Sequence, residues 1–96
     1  MMSQSPTMLF IGMDVHKDST VFCIFDPSAA DKDRYRHVTA PTTREGLESV
    51  LKPLAGRCKV AFEVGTQAQW VAGIIRPLAT EVQIANPSMM PWLFRD

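Results

Sequence analysis

IGMDVHKDSTVFCIFD, residues 11–26, reads as strand, tight turn, strand, with one acid, Asp14, set where the first strand runs out. Leu9, Phe10, Ile11 and Met13 form a run too continuously apolar for a strand with one face in water. The run predicts a central strand, from about Met8 to Asp14, covered on both faces. Gly12 weakens a strand interior and marks a place where something must approach the backbone closely. His16, Lys17 and Asp18 make a polar turn. Thr20 to Phe25, rich in β-branched and aromatic residues, follows as a second strand, antiparallel to the first because the turn is so short.

Working outward, residues 1–7 read as a flexible polar start and 8–96 as one folded domain. Pro27 to Asp33 is a loop by its Pro, Ser and charges. Arg34 to Thr39 is a weaker third strand whose large apolar residues are Tyr35 and Val38, which places it at an edge. Its Arg34, Arg36 and His37 suit a guarded edge as well as they suit a phosphate contact. Thr42 and Glu45 have capping-box spacing, and Leu47, Val50, Leu51 and Leu54 fall on one helical face, so a helix opens after Pro41 and ends at Pro53 and Gly56. Lys59 to Val64 repeats the first strand's pattern, with Glu63 near its end. A second helix begins at Thr66, again with capping-box spacing to Gln69, and carries the stripe Trp70, Val71, Ile74, Ile75 and Leu78 as core. Glu81 to Ala85 is a fifth strand, Asn86-Pro87 punctuates it, and Ser88 to Phe94 begins a third helix.

Composition narrows the function classes. Ninety-six residues make one domain with a modest core. The 46% apolar and 21% charged shares are those of an ordinary soluble protein. Lys plus Arg and Asp plus Glu number ten each, so the basic excess of a stand-alone nucleic-acid binder is absent. Apolar runs fall well short of the roughly 20 residues that span a bilayer, and the start lacks the pattern of a signal peptide, which predicts no membrane and a cytoplasmic location. Cys23 and Cys58 are far apart and only His16 and His37 could join them at zinc, so both read as buried, reduced thiols.

An antiparallel hairpin followed by helix-separated strands implies a mixed α/β sheet with helices packed on it. Ligands of such sheets sit beyond the carboxyl ends of the strands, where strand order reverses. Asp14 and Glu63 both stand at such ends, and become neighbours if the fourth strand packs parallel to the first. Two carboxylates held close repel, and a divalent cation resolves the conflict. Oxygen-only ligands favour Mg²⁺ or Mn²⁺, which keep waters and take one or two carboxylates plus substrate phosphates. Metal-assisted phosphoryl transfer is the chemistry that follows, although such sites use three or four carboxylates and this chain offers two good ones.

IGMDVHKDSTVFCIFD, TREGLESVLKPL at 43–54, VAFEVG at 60–65 and VQIANP at 82–87 together resemble the N-terminal RuvC-like domain of DEDD transposases. These belong to bacterial insertion sequences of the group numbered one-hundred-and-ten, with the related Piv-type DNA invertases. The resemblance covers nearly all of the chain from Leu9 onward. It implies a ribonuclease H-like fold with a five-stranded sheet in the order 3-2-1-4-5, and a Mg²⁺-dependent site for DNA strand cleavage and transfer in transposition. By motif, Asp14 is the first acid and Glu63 the second, both catalytic and metal-binding. The third and fourth acids follow in a D-x-x-D motif beyond the N-P and are not in this chain, since Asp96 comes too early. Family members add a domain with a catalytic serine and recombine DNA with a guide RNA. This chain carries Glu63-Val64-Gly65-Thr66 where the family has E-A-T-G. The resemblance therefore implies a truncated piece, inactive alone, of a transposase whose partners are DNA and guide RNA.

Plainer readings stand beside these. Asp14 could cap the hairpin, Glu63 could be an acid favoured by a helix N-terminus, and Asp18 could tie the turn through its side chain. His16 and Lys17 are weak candidates for nucleic-acid contact and read more readily as solvated turn residues. Sugar kinases and actin-like ATPases open with a similar hairpin, but theirs holds a glycine-containing phosphate loop where this chain has Val15-His16-Lys17-Asp18-Ser19. A non-catalytic fragment that forms homo-oligomers through an exposed C-terminal end, Trp92, Leu93 and Phe94, is a third reading.

Overall fold

Why the chain folds around its first strand is visible in one row of side chains. In the computed structural model, which describes residues 7–63, 65 and 67–85, Met13 lies opposite Phe22 on one side and Phe62 on the other. All three are essentially without solvent exposure. The elements run β1 (Leu9–Val15), β2 (Ser19–Phe25), β3 (Tyr35–Pro41), α1 (Arg44–Leu51), β4 (Cys58–Glu63), α2 (Ala68–Ile75) and β5 (Glu81–Ala85). They build a mixed five-stranded sheet in the order β3-β2-β1-β4-β5. The β1–β2 and β2–β3 pairs are antiparallel, and β1–β4 and β4–β5 are parallel. Strand count, order and helix-packed α/β class agree with the expectation.

Both helices pack on one face of this sheet. Leu9, Ile11, Met13, Phe22, Ile24, Val60 and Phe62 bury that face against Leu47 and Leu51 of α1 and Val71, Ile74 and Ile75 of α2. Because side chains alternate along a strand, a one-residue slip of β1 or β4 would carry acids into this core, so the apolar row holds the register. Removing a ring as deeply buried as Phe22 or Phe62 costs about 3–5 kcal/mol.

Several expectations need correction. Coverage of β1 on its second face is partial: the described helices lie on one side, and on the other Gly12 and the neighbouring Cys23 are buried while Phe10 is 38% exposed. The cap of α1 is Thr43, whose Oγ1 accepts from the Gly46 N–H at 2.9 Å, and not Thr42. Glu45 therefore sits one place too early for a capping box, and Leu54 lies beyond the helix in a 3₁₀ turn, Lys52–Leu54. In α2 the buried stripe is Ala68, Val71, Ala72 and Ile75 with Ile74, whereas Trp70 is 46% exposed. The helix starts from Gln67, which makes no side-chain cap. β1 continues to Val15 and β3 runs from Tyr35 to Pro41, past the expected ends. Thr66, Val64, the third helix and the Trp92 to Phe94 end lie outside the described residues. No helix among the described residues is long and apolar enough to cross a membrane. Cys23 and Cys58 are free, as expected, and burial raises the pKa of both thiols, which keeps them protonated.

Candidate functional site

Met13 and Phe62 face each other across the parallel β1–β4 pair with their side chains in the helix-covered core. One step further along both strands come Asp14 and Glu63, which alternation sends to the opposite face. The two candidate acids are thus brought side by side at the carboxyl ends of adjacent parallel strands. Behind them in the register, Gly12 pairs with Ala61. Neither residue carries bulk, and Gly12 is buried. A third row, Tyr35–Phe25–Phe10–Lys59–Glu81, crosses all five strands beyond that pair.

At the strand ends the two acids share a cavity of about 250 Å³ with Lys17, Gly65 and the start of α2 at Gln67 and Ala68. That is the place where sheets of this topology receive ligands. Lys17 makes no ion pair with a carboxylate among the described residues, so its charge is available to whatever enters the cavity.

Asp14 has one described partner. His16 Nε2 donates to Asp14 Oδ2 at 2.9 Å. The hairpin itself is closed by backbone, the His16 N–H donating to the Ser19 carbonyl at 2.9 Å. Asp14 accepts no backbone bond from the turn among the described residues, which removes the capping explanation of its position. Glu63 is the last residue of β4, ahead of the N-cap Gln67, and stands outside the first turn of α2 where a helix dipole acts. It is exposed and makes no described hydrogen bond or ion pair. Asp18 ties the turn through its carbonyl, which accepts from the Thr42 N–H at 3.1 Å, and not through its side chain.

One supporting device escaped the sequence. Thr42 Oγ1 donates to the His16 carbonyl at 2.7 Å and lies 2.8 Å from Thr20 Oγ1. Its single proton being used at His16, Thr42 must accept from the fully buried Thr20 hydroxyl. The chain Thr20, Thr42, His16 fastens the entrance of α1 to the turn that carries the ring on Asp14. Gln67 and Gly65, lining the cavity, were likewise not singled out. Only the start-of-helix position of Gln67 could have signalled it.

Among the described residues no three His, Cys, Asp or Glu side chains converge as a metal-binding group. Asp14 and Glu63 alone supply two neighbouring, solvent-reachable carboxylates, a donor set suited to a hard divalent ion that keeps most of its waters. The chain matches no protein-family model and no curated protein.

Proposed function

We propose that this chain is the N-terminal, ribonuclease H-like (RuvC-like) domain of a transposase or DNA recombinase, acting in metal-dependent DNA strand cleavage and transfer. The observation that carries the reading is the placement of Asp14 beside Glu63 on parallel neighbours of a 3-2-1-4-5 sheet. The two residues would hold Mg²⁺ or Mn²⁺ as half of a carboxylate set. The ion supplies Lewis-acid stabilisation of charge on phosphodiester oxygens. The chain's own residues orient and fill the site: His16 holds Asp14 by its ring, and Lys17, on the wall of the same cavity, offers a cation for a phosphate oxygen. DNA is the substrate in this reading, a guide RNA the partner in the full-length enzyme, and acids outside this chain complete the set. By itself the chain does not cleave DNA.

The nucleotide-binding alternative is disfavoured by the turn, whose three residues are closed by the His16–Ser19 bond and offer no glycine loop for a phosphate. Thermal melting of the chain and of Asp14→Asn, each titrated with Mn²⁺ and separately with ATP, tests the reading. A rise in Tm with Mn²⁺ that Asp14→Asn abolishes is the expected result. A rise with ATP, or a Mn²⁺ response untouched by the substitution, overturns it.

A further inference from the structure

The outer edge of β3 carries an inference that stands on the fold alone and does not depend on the metal reading. The Asp26 N–H donates to the Arg34 carbonyl at 2.8 Å, and the Thr42 N–H to the Asp18 carbonyl at 3.1 Å. Both bonds lie on the register that sets Phe25 opposite Tyr35 and Ser19 opposite Pro41. Hydrogen-bonded pairs alternate in an antiparallel ladder, so Arg36, Val38 and Ala40 spend their backbone groups on β2. Tyr35, His37 and Thr39 therefore aim their N–H and C=O groups outward. No backbone group among the described residues meets them.

This edge is long and plain. Seven consecutive residues pair with β2 without a bulge, and His37-Val38-Thr39-Ala40 includes no Lys, Arg, Asp or Glu. The devices that blunt an exposed edge, charge in mid-strand, bulge or cover, are missing from its centre among the described residues. Beside it runs a groove of about 420 Å³ between β3 and α1, lined mainly by Val38, Ala40, Val50, Pro53 and Leu54, with Arg36 also on its wall. The groove sets apolar side chains beside backbone groups that no described residue pairs.

We propose that the edge pairs antiparallel with β3 of a second copy of this chain, with Val38 on the twofold axis. The sequence Tyr35-Arg36-His37-Val38-Thr39-Ala40-Pro41 is complementary to itself in that register. His37 and Thr39 exchange both backbone bonds with Thr39 and His37 of the second copy. Val38 meets its counterpart in a non-hydrogen-bonded pair, where side chains approach closely, on the face that continues into the groove. Arg36 falls opposite Ala40 and Tyr35 opposite Pro41, so no two cations face each other. Moving the axis to His37 would oppose two histidines and set Arg36 against Val38, so the Val38–Val38 contact that joins the two grooves would be lost. Backbone bonds give the pairing its register, and the two grooves supply its apolar contact.

Sedimentation velocity of the full chain is expected to give a dimer. Thr39→Pro deletes an outward N–H and no bond to β2, and is expected to sediment as a monomer with unchanged circular dichroism. Val38→Cys is expected to form a reducible cross-linked dimer on mild oxidation, because Cys23 and Cys58 are buried, whereas His37→Cys is not. A wild-type chain at monomer mass throughout the concentration range, its edge then serving another protein or none, overturns the proposal. So does a Thr39→Pro protein that dimerises like wild type, or His37→Cys cross-linking as readily as Val38→Cys. Should Thr39→Pro fail to fold, the two cysteine variants decide alone.

Discussion

Thr20, with no solvent exposure, donates its hydroxyl proton to Thr42, 2.8 Å away across the entrance to α1. The bond is the hidden half of a relay that ends on the His16 carbonyl. Thr42→Val removes the acceptor and strands a buried hydroxyl, an expected loss of about 1–3 kcal/mol by chemical denaturation. Thr20→Val/Thr42→Val removes both partners, and is expected to be less destabilised than Thr42→Val alone. A double variant whose loss equals the sum of the singles would mean that the two hydroxyls do not interact.

Gly46 and Gly73 are both helical glycines, and the structure separates them. A Cβ on Gly46 would run into the Pro41 carbonyl oxygen, which is fixed because it also accepts from the Thr43 N–H at 2.8 Å. A Cβ on Gly73 meets nothing. Gly73→Ala is therefore expected to stabilise by about 0.5–1 kcal/mol, while Gly46→Ala destabilises by about 1–3 kcal/mol. Equal effects of the two substitutions in a denaturant titration would contradict the close approach of α1 to the end of β3.

The apolar run around Gly12, the short polar turn and the return of the pattern at Val60 made the central part of the sheet legible, because burial on the pleat leaves a period that a window of sequence contains. The same period placed Asp14 and Glu63 at matching strand ends. What failed was decided by partners distant in sequence. Thr42 and Thr43 are indistinguishable as caps until Thr42 is seen bonded to His16 and Thr20. Ala68 and Ala72 carry little apolar signal, so the bulk of Trp70 drew the predicted stripe round to the solvent side of α2. The exposure of Phe10 depends on which sheet face the helices choose, and nothing local to β1 encodes that choice.

Asp26 accepts from the Ser28 hydroxyl at 2.7 Å and from the Ser28 N–H at 2.9 Å. These bonds, the hydroxyl first, hold its carboxyl below the ordinary carboxylate value, with Arg57 adding a smaller pull. A depressed folded-state pKa gives stability that is present above the unfolded value of about 3.9 and is lost as pH falls through the folded one. Melting curves of wild type and Asp26→Asn are expected to converge as pH drops from about 5 to below the unfolded value of Asp. A gap that stays constant across that window would show that the turn does not discriminate the ionised form.

Asp14→Asn and Glu63→Gln test what the two acids cost the fold. They lie next to each other on a solvent-reachable strip at the strand ends, outside the apolar core, and Glu63 has no described partner. Asparagine can still accept from His16 through its side-chain oxygen, so neither substitution strands a buried group. In chelator-treated buffer each change is expected to stay within about 0.5 kcal/mol of wild type. The double variant should not fall below the singles, since it removes repulsion between neighbouring carboxylates. A loss above about 2 kcal/mol in both singles would assign the acids to structural bonding, the range in which broken buried networks fall. Neutral substitutions that nevertheless abolish the Mn²⁺ shift would instead separate ion binding from folding, as two carboxylates at the strand ends outside the apolar core require.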